Sequence, residues 1–346
     1  MLKRDDQREK LQGAYSGVYT ASKPNAMDLD PDRHREQVQF VLSGGLKAGL
    51  GTVGAALGAS EGYMLSNEDW KTCLKILAEE NNGQVPLMAG VFERSCKNAI
   101  DKIKYAESLG YDFIQLACPH NQGPTDEENY RFFKTIDEAV DSIGLILYHT
   151  HWNYINGFQL TLPVLEKITD LDSIVGIKWH ARDADTLLNV LERFNEKVAI
   201  VDNAGWVGRN KRNDYNIKMF MGPAGNWYPE DLVKSAKLFL DGKYEEHCSI
   251  NKQIAAPKWA VVEACFQEMF GASTPGRWDL TQHTPLWMSL GEGTVNKGIM
   301  RLMKRSLGAP FLPQYELSDE AIEKAKGILK RMLTDAGAEL PKQLGW

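Results

Sequence analysis

The strongest constraint on the fold of this chain is a regular alternation of short apolar runs with amphipathic segments. Apolar runs of five to seven residues, bounded by polar or Gly-containing stretches, are typical of strands buried on both faces of a parallel sheet. The predicted strands are Ala14–Tyr19, Gly51–Leu57, Pro86–Val91, Phe113–Ala117, Gly144–Tyr148, Ile174–Lys178, Val198–Asp202 and Ile217–Met221. Eight such strands separated by helical patterns predict an α/β fold, a (β/α)8 TIM barrel.

Helical periodicity continues after the last predicted strand. The predicted helices of this part are Pro229–Leu240, Glu245–Phe270, Thr294–Ser306 and Asp319–Ala336. A run of helices with no further strand does not extend a barrel, so it indicates a separate layer or domain. We therefore predict a catalytic barrel over residues 1–245 and a C-terminal helical domain over residues 246–346.

Composition excludes several classes of function. The 346 residues carry a net charge of −6 and contain no long basic run of the kind that binds nucleic acid or an anionic membrane. The five cysteines form no Cys-x-x-Cys pair, which indicates reduced thiols rather than disulfides or a zinc site. The N-terminus is charged, without the apolar core of a signal peptide, and no apolar run reaches the length of a membrane span. We expect a cytoplasmic protein that acts on a small molecule.

One buried strand ends in a charged residue. Residues 173–180 read SIVGIKWH, so Lys178 closes an apolar run. Active sites of (β/α)8 barrels lie at the C-terminal ends of the strands. An amine removed from water there has a lowered pKa and becomes a nucleophile suited to Schiff-base chemistry. The alternative for Lys178 is a strand-end lysine whose amine extends to solvent.

Other strand ends supply candidate partners for Lys178. Tyr148 closes the adjacent predicted strand at a similar height, and a phenol beside an imine-forming lysine can shuttle protons. The small-residue turn Gly58–Gly62 offers backbone N–H groups and a hydroxyl to a substrate carboxylate. The candidate substrate-binding residues are Ala59, Ser60, His120, His151, Trp152, His180, Asn203, Gly222 and Gly225.

The order of these features resembles the dihydrodipicolinate synthase / N-acetylneuraminate lyase family over nearly the whole chain. The matching features are the Glu-containing turn after strand two, Tyr148, Gly176-Ile177-Lys178 and Gly222–Gly225. The resemblance implies a class I aldolase on a (β/α)8 barrel with a C-terminal helical domain. It implies that Lys178 forms a Schiff base with pyruvate or another 2-oxo acid and that Tyr148 relays protons. It implies no cofactor and no metal. It also implies a homo-oligomer, either a dimer or a tetramer.

The sequence departs from the family pattern at positions that bear on the substrate. The family's Gly-Thr-Thr-Gly-Glu turn matches residues 58–61 with one residue missing. Ser60 would keep the second hydroxyl and bind the substrate carboxylate, whereas Ala59 lacks the first, so the usual hydroxyl-linked proton relay is broken or rerouted. His120 stands where a tyrosine pair is common, which puts in doubt the tyrosine that a neighbouring subunit lends to the relay.

The segment after Tyr148 also departs from the family. It contains no arginine that could hold a second carboxylate. The predicted pocket mouth is instead rich in tryptophan and histidine, which favours a planar or apolar group on the carbonyl partner. Its members are Trp152, Trp179, Trp227, His151 and His180. These features favour a hydratase-aldolase that cuts an aryl-substituted or otherwise bulky 2-oxo acid into an aldehyde and pyruvate.

Three alternatives stay open on sequence grounds. A sugar-acid lyase or a dehydratase of the same family would use the same lysine. A metal-dependent barrel hydrolase would use His149 and His151, whose spacing places both on one side of an extended segment, with His180 or Asp202 as a further ligand. A non-catalytic relative would bind a 2-oxo acid as a sensor, although the presence of both Lys178 and Tyr148 argues against it.

Overall fold

The computed structural model describes residues 4–119, 124–150, 160–180, 184–202, 217–271, 292–339, 341 and 344. Within these ranges, eight parallel strands form a closed barrel in which each strand pairs with the next and the last pairs with the first. The strands are β1 Gly13–Gly17, β2 Gly51–Ala55, β3 Leu87–Val91, β4 Phe113–Ala117, β5 Gly144–Thr150, β6 Ile174–His180, β7 Ala199–Asp202 and β8 Met219–Met221. The predicted (β/α)8 barrel is confirmed.

Helices surround the barrel and continue beyond it. Those of the barrel part are α1 Arg4–Lys10, α2 Pro31–Ser43, α3 Asn67–Asn81, α4 Cys96–Ser108, α5 Asp126–Asp137, α6 Leu162–Thr169, α7 Ala184–Phe194 and α8 Pro229–Leu240. They are followed by α9 Tyr244–Ile254, α10 Ala256–Phe270, α11 Glu292–Leu302 and α12 Asp319–Asp335. None of the helices in the described ranges is long and apolar enough to cross a membrane.

The C-terminal helices differ from the prediction at two places. The helix predicted over Thr294–Ser306 is observed over Glu292–Leu302. The sequence pattern predicts a single helix over Glu245–Phe270, but the structure contains two, α9 and α10, with Ala255 between them. Pro257 lies in the first turn of α10. Proline has no amide hydrogen and its ring clashes with the preceding turn of a helix, so the chain ends one helix and starts another there.

The alternation of side chains along each strand divides the barrel into two apolar layers. The inner layer is formed by residues such as Tyr15, Phe113, Ile146 and Val175. The outer layer, between strands and helices, includes Leu147 and other residues of opposite parity. Because successive side chains of a strand point to opposite faces, parity decides which residues reach the interior within each regular stretch. The register between β5 and β6 shifts at Leu145/Ile146, so Val175 and Lys178 both face inward although they are three residues apart.

The helices after the barrel have a core of their own, built from α10, α11 and α12. This core also takes in Tyr19, which follows β1, and Trp227, which follows β8. The Trp227 indole N–H donates to the carbonyl oxygen of Ile254 at 2.8 Å. The C-terminal region is thus attached to the end of the barrel where the strands finish, which is the end that carries active sites in this fold.

A buried ion pair joins these two parts. Glu61, in the turn after β2, lies 3.4 Å from the amine of Lys297 on α11, and both side chains are 2% exposed. The carboxylate also accepts from the Phe311 backbone N–H at 3.0 Å and from the Gln314 amide at 2.8 Å. Lys297 donates in addition to the carbonyl oxygen of Thr20. These hydrogen bonds offset part of the desolvation energy of the two charges. If one partner is removed, the other charge stays buried without its counter-charge, which destabilises the fold.

We predict that Lys297→Met lowers the free energy of unfolding by about 3–5 kcal/mol, because it leaves the Glu61 carboxylate buried without its cation. The double variant Glu61→Gln/Lys297→Met should be more stable than the sum of the two single changes implies. Urea unfolding followed by circular dichroism measures both quantities.

The matched control is Lys97→Met, which removes an exposed ion pair with Asp101 whose side chains are 81% and 62% exposed. It should change the free energy of unfolding by less than about 0.5 kcal/mol. Equal effects of Lys97→Met and Lys297→Met would contradict the assigned importance of the buried pair.

Candidate active site

Lys178 points into the barrel, where it is 3% exposed. It lies on β6 at the register of Tyr148 on β5. Its amine nitrogen is 3.3 Å from Gln115 Oε1, and it lies 4.5 Å from the centre of the Tyr148 ring and 5.0 Å from that of Tyr15. The Lys178 amine is therefore enclosed in the barrel by two phenol rings and one amide, and it does not extend to solvent.

This environment changes the acidity of Lys178. Burial lowers the pKa of the Lys178 amine to about 8, helped by the positive charge of Lys258 and opposed by the negative charge of Glu292. Desolvation acts in this direction because it disfavours the charged form. A substantial neutral fraction therefore exists near pH 8, and the neutral amine is the form that attacks a carbonyl.

Gln115 fixes the position of the amine. It projects inward from β4, and its Oε1 atom accepts hydrogen bonds from both Lys178 and the Tyr15 hydroxyl. The residue is fully buried. An amide at an inward position of an otherwise apolar strand is costly unless it is hydrogen-bonded, so it is typical of a site. Sequence reasoning missed Gln115 and Tyr15, although a polar residue inside the run Phe113–Ala117 was the available signal.

Tyr148 is 3% exposed and lies next to further aromatic rings. Phe92, which follows β3, contacts it edge-on with ring centres 5.9 Å apart. Tyr63 contacts Phe92 in the same manner at 6.0 Å. Together Tyr63, Phe92 and Tyr148 form what we call the aromatic wall, an arrangement of edge-to-face contacts that favours planar or apolar neighbours.

The turn after β2 is a short 3-10 helix, Gly58–Ser60, that ends at Glu61 in the left-handed region with φ 57°. The Ser60 side chain is 1% exposed, and a Cβ atom added to Gly17 would lie 3.0 Å from its hydroxyl oxygen. The hydroxyl thus faces the part of β1 that has no side chain. The Ala59 carbonyl oxygen accepts a hydrogen bond from Asn296 of α11, so this turn is tied to the C-terminal helices.

Gly222 and Gly225 lie after β8 at the same end of the barrel. A Cβ atom on Gly222 would lie 2.8 Å from Leu232, and one on Gly225 would lie 2.8 Å from Ser16 Oγ. The missing side chains therefore allow this turn to pack against α8 and β1. Their contact with a substrate remains a prediction.

Several predicted site residues lie outside the described residues. These are His120, His151, Trp152 and Asn203. His180 closes β6, but its side chain is also outside the description. Their contact with a substrate stays a prediction.

Two of the predicted pocket tryptophans lie elsewhere. Trp179 follows Lys178, so it has the opposite parity, and it is buried in the outer layer, stacked on His149 with ring centres 4.1 Å apart. Trp227 is buried in the core of the C-terminal helices. The expectation that both line the pocket mouth is wrong, because strand parity and the docking of the helical region direct them away from it.

The same parity bears on the metal hypothesis. His149 points to the outer layer, on the opposite face of β5 from Tyr148. Within the described ranges, no group of three or more His, Cys, Asp or Glu side chains is arranged to hold a metal ion.

Two charged residues of the C-terminal helices, Glu292 and Lys258, shift the pKa of Lys178, and sequence reasoning missed both. Glu292 is the first residue of α11. A Cβ atom added to Gly58 would lie 3.6 Å from Glu292 Oε2 and 3.1 Å from the Tyr148 hydroxyl oxygen. Burial raises the pKa of Glu292, while the charges of Lys178 and Lys258 lower it. Burial likewise lowers the pKa of Lys258 on α10, against the field of Glu292.

Comparisons with known proteins identify the family. Residues 12–268 match the Dihydrodipicolinate synthetase family. The chain is 26% identical over 329 residues to a 4-hydroxy-tetrahydrodipicolinate synthase of Protochlamydia amoebophila, covering 93% of this chain and 97% of the relative. It is 22% identical over 324 residues to one from Methanosphaera stadtmanae, covering 92% of this chain and 98% of the relative.

Solved structures show the same fold. The sialic acid aldolase of Ruminococcus gnavus superposes with a TM-score of 0.75 at 18% identity, covering 95% of this chain and 99% of that one. The 4-hydroxy-tetrahydrodipicolinate synthase of Methylacidiphilum fumariolicum SolV gives 0.72 at 18% identity, with 95% and 99% covered. With a family match over most of the chain and a closed barrel around a buried lysine, this protein belongs to the dihydrodipicolinate synthetase family.

Proposed function

We propose that this protein is a class I aldolase-type lyase in which Lys178 forms a Schiff base with pyruvate or another 2-oxo acid. The observation that carries the proposal is the buried Lys178 amine, held by Gln115 between the rings of Tyr15 and Tyr148, with its pKa lowered to about 8. The names of the curated relatives support it, since they describe synthases of the same family.

In the proposed reaction the neutral amine attacks the ketone carbon, and the resulting carbinolamine loses water to give a protonated imine. Tyr148, whose ring lies against the amine, is the proposed donor of the proton that the departing hydroxyl needs. The imine then withdraws electrons from the adjacent carbon, so a carbon–carbon or carbon–oxygen bond can break or form through an enamine. The Ser60 hydroxyl, facing Gly17, is the proposed contact for the 2-oxo acid carboxylate.

For the partner of the 2-oxo acid we propose an aldehyde with an aryl or other bulky uncharged group, as in a hydratase-aldolase. The aromatic wall supports this, and so does the absence of an arginine in the segment after Tyr148. The Glu292 carboxylate beside the wall would repel a second carboxylate. A sugar-acid lyase or dehydratase is the second candidate, because a carboxylate at Glu292 can accept hydrogen bonds from substrate hydroxyls.

We also propose that the protein assembles with copies of itself. We expect a homo-oligomer, dimer or tetramer, as the resemblance implies, and light scattering of the purified protein measures it directly.

Borohydride in the presence of pyruvate is expected to add one covalent adduct per chain, located on Lys178 by peptide mass. The initial rate of adduct formation should rise with pH to a midpoint near 8, because only the neutral amine reacts and burial lowers the pKa to about 8. Lys178→Ala should abolish the adduct.

The matched control is Lys97→Ala, which changes an exposed lysine and should leave the adduct intact. An adduct on another lysine, or none with any 2-oxo acid, would refute the Schiff-base proposal. A midpoint near 10.5, the ordinary value for an exposed lysine, would contradict the assigned burial of Lys178.

Chelation tests the hydrolase alternative. We expect full formation of the pyruvate adduct after exhaustive treatment with EDTA, and in His149→Ala, because His149 lies on the opposite face of its strand from Tyr148. Loss of activity on chelation that zinc or manganese restores would favour the metal-dependent hydrolase instead.

Substrate preference tests the aromatic wall. The ratio kcat/KM should be higher for aryl-substituted 2-oxo acids than for aspartate semialdehyde with pyruvate or for sialic acid. Phe92→Ala should raise KM for the aryl substrate by about 10-fold, the equivalent of ~1–1.5 kcal/mol of lost ring contact, with little change in the pyruvate adduct.

The predicted pocket residue Trp152 provides a second variant, and Trp152→Ala should act in the same direction. Trp179→Phe, in the outer layer, is the control and should leave KM unchanged. A preference for aspartate semialdehyde or a polyhydroxylated acid would show that the aromatic wall does not select the partner.

A further inference from the structure

The family resemblance leaves one proton transfer without its usual group in this chain. Once the protonated imine has formed, a proton must leave the adjacent carbon, C3 of pyruvate, to give the enamine. The position of the first family threonine is occupied by Ala59, which has no hydroxyl. The next hydroxyl, of Ser60, faces Gly17 on β1. Tyr148 is present, but the hydroxyl relay behind it is interrupted, so a basic group beside Tyr148 would supply the missing proton acceptor.

The structure places a carboxylate there. Glu292 Oε2 and the Tyr148 hydroxyl oxygen lie within 3.6 Å and 3.1 Å of one point, the position that a Cβ on Gly58 would occupy. Phe92 Cζ is 3.6 Å from the same point. The absence of a side chain at Gly58 thus leaves a small space bounded by a phenol, a carboxylate and an aromatic edge.

Glu292 is held there by the contacts that dock α11 on the turn after β2. Asn296 donates to the Ala59 carbonyl oxygen, and Lys297 pairs with Glu61. The backbone N–H of Gly293 donates to Gln314 at 2.8 Å, and a Cβ at Gly293 would overlap Glu61. The first turn of α11 is therefore fixed on the turn that lines the pocket, which is the preorganisation that a proton-transfer group requires.

Resting on the proposed Schiff base, we infer that Glu292 is the catalytic base that accepts the C3 proton of the protonated imine, in place of the hydroxyl relay that Ala59 interrupts. The C3–H bond breaks and an O–H bond forms on the carboxylate. The C3–H electron pair becomes the C2=C3 double bond, and the imine π electrons move to the Lys178 nitrogen, giving a neutral enamine. The proton returns from Glu292 when the enamine is released or reacts.

The charges around Glu292 fit this role. In the free protein burial raises its pKa and the positive charges of Lys178 and Lys258 lower it. After imine formation the Lys178 nitrogen carries a fixed positive charge, which favours the carboxylate at the stage when a base is needed. The titratable groups that face Glu292 are Lys178, Lys258, Glu61, Tyr19, Tyr63 and Tyr148.

Exchange of the pyruvate methyl protons in D₂O, followed by proton NMR, measures this step without any aldehyde partner. Glu292→Gln keeps the side-chain shape and removes the base. It should leave the borohydride adduct on Lys178 complete at long times, while methyl exchange at saturating pyruvate slows by about 100-fold or more. Glu320→Gln, an exposed carboxylate on α12, is the control and should exchange at the wild-type rate.

The pH dependence separates a base from a structural role. At saturating pyruvate, where the Schiff base on Lys178 is complete at every pH tested, the wild-type exchange rate should rise with pH as Glu292 ionises and then level. Glu292→Gln should lack this rise. Lys258→Met removes a positive charge that favours the carboxylate, so the midpoint of the rise should move to higher pH. Glu292→Asp keeps a titrating carboxylate, so its exchange should be slower than in the wild type but should still rise with pH. This variant tests the role of Glu292 even if Glu292→Gln does not fold.

The outcomes distinguish this inference from the proposed function. If the wild type forms no adduct with any 2-oxo acid, the Schiff base and the role of Glu292 fall together. If adducts form but Glu292→Gln exchanges at the wild-type rate, only the role of Glu292 is overturned. If Glu292→Gln exchanges the methyl protons more slowly but with the same pH profile as the wild type, the role of Glu292 as a base is also overturned, because the change is then structural.

Discussion

The site depends on the alternation of side chains along β5 and β6, two neighbouring strands of the closed barrel. In a closed barrel each strand residue faces either the interior or the helical layer, with no intermediate choice. Lys178 and Tyr148 share the inward parity and meet, whereas their neighbours Trp179 and His149 share the outward parity and stack on each other. A shift of one residue in β6 would exchange Lys178 with Trp179 and place an amine in the apolar outer layer.

The inner layer explains the chemistry of the lysine. Below it the barrel is filled by apolar residues such as Phe113, Ile146 and Val175, so the amine has little water around it. The polar contact that the structure provides is Gln115, which is neutral and accepts a hydrogen bond without stabilising the charge as a carboxylate would. The balance between this burial and the charges of Glu292 and Lys258 gives the amine a pKa of about 8.

The C-terminal helices contribute to the candidate site through the first turn of α11. The buried Glu61–Lys297 pair and the Asn296 contact to Ala59 connect α11 to the turn after β2. Because a buried ion pair tolerates little displacement, this joint determines where Glu292 lies relative to Gly58 and Tyr148. The same contacts therefore stabilise the packing of α11 on the turn after β2 and set the position of the proposed base.

The sequence by itself determined the barrel, the bounds of its strands to within two residues, and the pairing of Lys178 with Tyr148. It could do so because these features depend on local periodicity and on the rule that strand ends gather at one rim. Tertiary structure alone decided the positions of Trp179 and Trp227, the break between α9 and α10, and the meeting of Glu292 with Gly58. The side chains at this last contact come from segments far apart in the chain, and no local pattern records which helix docks on which turn. Long-range packing and the buried Glu61–Lys297 pair select that arrangement.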